Sequence, residues 1–284
     1  MNSAHVYPGP SAMRPVNFLA SLLIVLASLL SMQAVAQIPQ SPNKLDKNGQ
    51  RDGAWTIIAD DDFAPVADAS KGTCYAVISY LEGKPVGRTT YRYTSGEVRW
   101  EGELTQVAPF VPLDGQHVCF HKNGKKERTF EFKGGRMEGV VTGWYESGKK
   151  KYEISMSGGS REGKSVEWYE HGQKWNEMPY RNGKKEGMSF IWYKNGQKWS
   201  ETPYKNDVRE GLSTSWYPSG QKELETPYVA DKVDGLAVRY RENSQRIHEV
   251  PHKNGKEDGA ARYWDENGNE TGKRWKDGVE VIDD

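Results

Sequence analysis

The sequence predicts an all-β protein, an elongated single-layer antiparallel sheet of stacked β-hairpins. Three observations lead there. Glu-Gly or Asp-Gly returns every 24 residues, ending at Gly139, Gly163, Gly187, Gly211, Gly235 and Gly259, and a fixed period of this size marks a repeat architecture. An aromatic pair keeps step with it, at Trp144-Tyr145, Trp168-Tyr169, Trp192-Tyr193 and Trp216-Tyr217. Asn-Gly or Ser-Gly turns such as Asn195-Gly196 separate runs of strand-forming residues within the unit, the strongest short-range hairpin pattern.

Taken in chain order, residues 1–36 read as a secretory signal. Residues 18–30 are apolar apart from scattered Ser, and Ala34-Val35-Ala36 before Gln37 puts small residues where a signal peptidase reads. The apolar run is shorter than the ~20 residues a membrane-spanning helix needs. The expected outcome is cleavage near Ala36 and a periplasmic or extracellular protein. Arg14, the basic residue ahead of the apolar run, directly follows Met13, which makes Met13 an alternative start.

Residues 37–42 form a short linker, 43–280 the repeat array and 281–284 a tail. Beyond the six in-phase glycines, Gly115, Gly87 and Gly53 continue the pattern backwards. Their spacings of 34 (53 to 87) and 28 (87 to 115) imply insertions of about ten residues near 60–72 and about four near 107–112, against the 24-residue unit. Nine anchors imply about 17 or 18 strands and a ribbon of roughly 85 Å at ~4.8 Å per strand.

Side chains two apart along a strand share a face. Counted from the anchor glycine, positions one, three and five read Met188, Phe190, Trp192; Leu212, Thr214, Trp216; and Leu236, Val238, Tyr240. This side is the expected apolar face. Positions two and four read Ser165 and Glu167, Ser189 and Ile191, Ser213 and Ser215, and this side is expected to be wet apart from the position-six tyrosines. Pro179, Pro203, Pro227 and Pro251 recur in phase and cannot donate to a ladder, so each predicts a strand end or a bulge.

The unit W-Y-x-x-G-x-x-x-x-E-x-x-Y-x-x-G-x-x-x-E-G is carried by Trp168, Tyr169, Gly172, Glu177, Tyr180, Gly183, Glu186 and Gly187, and again through Trp192, Glu201, Tyr204 and Gly211. It resembles the MORN-type repeat, in the bacterial variant often labelled antitoxin-like. The resemblance covers about residues 43–280. It implies stacked β-hairpins used for protein or membrane-surface contacts and no particular chemistry.

Composition narrows the function. The chain has 39 basic and 39 acidic residues, and removing residues 1–36, which hold one Arg and no acid, leaves 38 against 39. Such balance does not ask for a nucleic-acid partner. The in-phase carboxylates Glu153, Glu177, Glu201, Glu225 and Glu249 would stand ~9.6 Å apart, near the upper limit for glycosidase pairs. A side chain used identically in five units reads as a structural acceptor. Asp60-Asp61-Asp62 lacks further spaced oxygen ligands, and His248 and His252 would lie ~13 Å apart on a strand. His117, His121 and His171 show no partner pattern, and no nucleophile triad or phosphate loop is found. No catalytic residue, metal or cofactor is expected.

Cys74 and Cys119 would be exported into a compartment that permits disulfides. The strand count separates them by about three strands, ~14 Å, beyond bridging reach. The expected binding face is the aromatic ladder Trp144, Trp168, Trp192, Trp216, Tyr240 and Trp264, with Gly139, Gly163, Gly187, Gly211, Gly235 and Gly259 as structural turns. The expected function is a non-enzymatic exported scaffold that binds another protein or itself. The alternatives are a module for cell-envelope glycan or a membrane surface and, by the family label, an antitoxin or immunity-like protein.

Overall fold

The computed structural model describes residues 43–60, 65–66, 69–106, 111–112 and 114–282. The expected signal segment, the linker, parts of both insertions and the last two residues lie outside the described residues. Within them the chain is one open antiparallel sheet, in which each long strand pairs with the long strands before and after it in sequence. Each of the nine anchor glycines lies at or near the start of a hairpin, from Arg51–Ala59 with Cys74–Leu81 to Gly259–Trp264 with Glu270–Lys276. Short strands flank the array, Lys44–Leu45 at one end and Val279–Val281 at the other.

The recurrent prolines sit opposite bulges. Lys184–Lys185 and Gly187–Trp192 both pair with Lys174–Arg181, in the registers Tyr180 to Lys185 and Glu177 to Phe190. The ladder breaks at Glu186, whose N–H donates to the Pro179 carbonyl at 3.1 Å. The same bond recurs from Glu210 to Pro203, Asp234 to Pro227 and Asp258 to Pro251. The anchor glycine after each bulge has positive φ, +106° at Gly187 and +117° at Gly235. A Cβ at Gly235 would stand 2.9 Å from Cγ of Pro227. Conformation and space therefore both demand glycine here.

The main buried core lies on the other side from the predicted apolar face, on which Thr214 and Val238 are nevertheless buried as expected. It is formed by Ile57, Ala59, Cys74, Ala76, Ile78, Tyr80, Tyr91, Trp100, Leu104, Cys119, Phe130, Val141 and Tyr152. The registers Ile57 to Ala76, Ala76 to Tyr91, Tyr91 to Trp100, Trp100 to Cys119 and Val141 to Ile154 carry it across successive strands on one face. That face holds positions two and four, the side predicted to be wet. Position two is buried as Thr89, His117, Val141, Ser165, Ser189, Ala237 and Ala261, whereas Met188, Leu212 and Leu236 at position one are exposed. Small side chains at position two are overshadowed by taller neighbours, so polarity and burial part company there.

Aromatic rings fill the early part of this face. Tyr91 meets Trp100 edge-on at 6.0 Å, and His117 is stacked between Trp100 and Phe130, 5.4 Å from each. Cys74 and Cys119 are both buried and are not bridged to each other. Three strand steps separate them, from Cys74 to Tyr93, Tyr91 to Trp100 and Trp100 to Cys119.

Candidate functional site

Opposite the core lies the face of the aromatic ladder. Trp144, Trp168, Trp192, Trp216, Tyr240 and Trp264 are all half-buried there. Cations from the preceding hairpin sit over several of the rings: Lys150 over Trp168 at 5.3 Å, Lys174 over Trp192 at 5.7 Å and Lys198 over Trp216 at 4.9 Å. A lysine so placed covers the ring with its aliphatic stem and adds a cation–π attraction.

The same lysines hold the in-phase glutamates. Lys174 reaches Glu177 at 2.8 Å, Lys198 reaches Glu201 at 2.8 Å and Lys222 reaches Glu225 at 2.6 Å. Glu177 also takes Lys164 at 2.7 Å, and its carboxyl is held below the usual range by the hydrogen bonds from Lys164 and then Lys174. Glu249, almost fully buried, is clamped by Arg246 at 2.8 Å and Arg262 at 2.6 Å. Every member is tied to a cation as a structural acceptor, the role predicted from its uniformity.

The aromatic pair has a divided task. Trp and Tyr alternate in direction along the strand, and each Tyr hydroxyl donates to a backbone carbonyl of the next hairpin. Tyr145 donates to Trp168 at 2.7 Å, Tyr169 to Trp192 at 2.9 Å, Tyr193 to Trp216 at 2.8 Å and Tyr217 to Tyr240 at 2.8 Å. Burial pushes the Tyr145, Tyr169 and Tyr217 hydroxyls up, which keeps them protonated as donors. His121 and Arg241 take the same place toward the Trp144 and Trp264 carbonyls. The acid of each Glu-Gly has a parallel role at the other sheet edge, accepting a turn N–H: Glu162 from Asn182 at 2.6 Å, Glu186 from Asn206 at 2.9 Å and Asp234 from Asn254 at 2.9 Å.

Two surface features remain. Beside the Trp ladder runs a line of exposed apolar side chains, Val140, Met188, Leu212 and Leu236, interrupted by Lys164. Met188, Leu212 and Leu236 pair with Pro203, Pro227 and Pro251. On the other side, at the first-turn rim, Trp199 is 41% exposed and Trp175 half-buried. The sequence reading passed over these two. Their signal was a departure from the repeat, since the same position is Lys151 before them and Glu223 and Ile247 after them.

The remaining candidates do not converge. His248 lies between Arg239 and Tyr263, and His252 between Gly235 and Glu257. Burial pushes His248 down. His171 contacts the Lys194 carbonyl. Asp61 and Asp62 lie outside the described residues. Among the described residues, no three His, Cys, Asp or Glu side chains gather as metal ligands would.

The family described as the MORN repeat variant matches four consecutive segments, residues 137–157, 161–182, 185–206 and 209–230. No curated protein matches the chain. Repeats of this kind are, in general, modules for binding proteins or membrane surfaces. The matched segments coincide with hairpins whose Tyr hydroxyls, Glu-Gly carboxylates and bulge-facing prolines recur in register. Residues 137–230 of the chain are a run of four MORN-type repeats.

Proposed function

We propose that the chain is a non-enzymatic, exported scaffold that binds another protein through the face bearing the Trp ladder. The observation that carries this is the exposed line of Val140, Met188, Leu212 and Leu236 beside the half-buried aromatics. An apolar line bordered by charged side chains is the usual composition of an interface. The bordering Lys–Glu pairs are neutralised locally, so a partner need not bring strong net charge. Self-association through the same line is the second form of this reading.

The test is site-specific photocrosslinking. A photoreactive residue at Leu212 should give a discrete heteromeric adduct in the producing cell, whereas one at Ser215 on the opposite face should not. An adduct of twice the chain mass would show self-association. Equal adducts from both positions, or none from Leu212, would overturn the assignment of this face.

A further inference from the structure

The first-turn rim on the core side bears an aromatic surface that the repeat plan does not explain. Trp199 packs on Tyr193 with ring centroids 5.7 Å apart, and Trp175 on Tyr169 at 6.3 Å. Each tyrosine points away from the Trp ladder, because it follows a ladder residue along the strand. The Tyr hydroxyls are committed to carbonyls, which fixes the rings. Trp199 is itself the extra residue of a bulge, since Ile191 pairs with Ser200 and Trp192 with Lys198. The bulge turns a large ring outward where an ordinary strand position would not.

The amide side chains of Gln173 and Gln197, each two residues before one of these tryptophans, lie over the next turns, against Gly196 and Gly220. Each primary amide offers two donors and an acceptor. The two Trp–Tyr pairs belong to consecutive hairpins, so they repeat at ~9.6 Å, two strand spacings. Flat aromatic faces that accept C–H edges, amides that bond hydroxyls, and a spacing matching a disaccharide unit form one recognisable combination. His171 stacks on Tyr169 with ring centroids 5.4 Å apart and Lys194 lies over the same ring, so the tyrosine backs the tryptophan and the tryptophan offers the open face. We infer that this rim is a binding site for an extended β-linked polysaccharide, whose successive disaccharides stack on Trp175 and Trp199. The site is confined to two hairpins, because Lys151 and Glu223 replace the tryptophan on either side. It lies on the opposite face from the proposed protein surface, so either assignment can fail alone.

Calorimetric titration of the full chain with chitohexaose and, separately, cellohexaose tests the site. Binding of at least one is expected, with Trp175→Ala/Trp199→Ala weakening it by about tenfold or more, as loss of aromatic anchors does. The Trp175→Tyr/Trp199→Tyr variant should restore most of the affinity, and Lys232→Ala/Lys256→Ala, at exposed positions of later hairpins, should leave it unchanged. Circular dichroism of each variant distinguishes lost contacts from lost fold. No heat with either hexasaccharide would overturn the inference. So would affinity unchanged in the rim variant, or lost equally in the Lys232→Ala/Lys256→Ala control.

Discussion

Position two of the hairpin is Thr89, His117 and Val141 in the first half of the sheet, opposite Gly102, Phe130 and Ile154. In the second half it is Ser189, Ser213 and Ala237, opposite Thr202, Thr226 and Val250. The first half thus builds an apolar and aromatic core on this face. In the hairpins that begin at Gly187 and Gly211 it is replaced by hydroxyls that bond one another and nearby carbonyls, Ser189 to the Thr202 carbonyl at 2.9 Å and Thr202 with Ser213 at 2.8 Å, before buried Ala237 and Val250 return to a small apolar pairing. What persists through both is the backbone ladder and the turn glycines. One hairpin plan is therefore compatible with two sources of cohesion: burial, which depends on a cluster, and a periodic polar lattice, which depends on register.

The strongest way to break the comparison is to empty the core. Trp100→Ala, at a side chain 1% exposed, should cost about 3–5 kcal/mol. By hydrogen exchange, residues 51–157 should lose protection while 187–264 retain most of theirs. Equal loss throughout would mean that the two halves form a single cooperative unit.

A smaller loss is expected in the periodic half. Gly235→Ala should destabilise by about 1–3 kcal/mol through its positive φ. It should cost more than Gly187→Ala, where the added Cβ would lie 3.4 Å rather than 2.9 Å from the facing proline. Denaturant midpoints giving the reverse order would show that the proline ring does not set the tolerance of this junction.

The smallest effect sharpens the electrostatic side. The folded-state pKa of Glu177 is depressed by its lysine bonds, so its contribution is present above the unfolded value of about 4.3 and lost as pH falls through the lower folded one. Glu177→Gln should remove that part of the acid sensitivity and cost no more than about 1 kcal/mol at neutral pH, the range of screened pairs. A variant whose stability falls between pH 5 and pH 3 as steeply as the parent's would assign that sensitivity to other carboxylates.

The hairpins, their turns and the in-phase glycines were readable because each depends on local backbone chemistry repeated at a fixed interval. That the prolines mark an irregularity was readable for the same reason, although each lies within its strand and faces a bulge of the next one rather than ending the strand. The buried face was not, because Trp192 and Phe190 look apolar in sequence while Ser189 looks polar, and only neighbouring side-chain height decides that Ser189 is covered. Following the phase backwards to His117–Phe130 and Val141–Ile154 would have exposed the error. The irregular spacings before Gly115 obscured that comparison. The Trp199 rim was hidden by the opposite fault, since attention to what repeats passes over what occurs in only two units.

The tyrosine stitch also bears on how such a chain can change length. Each hydroxyl reaches forward into the next hairpin, and each Glu-Gly carboxylate accepts from the turn at the end of its own. Removing or duplicating one whole unit leaves every donor facing an equivalent acceptor at the new junction. Removing any other number of residues strands a hydroxyl, a carboxylate and a proline together. Length in this protein is accordingly quantised, and its evolution should proceed by gain and loss of complete units, with finer changes confined to the irregular segments near its first hairpins.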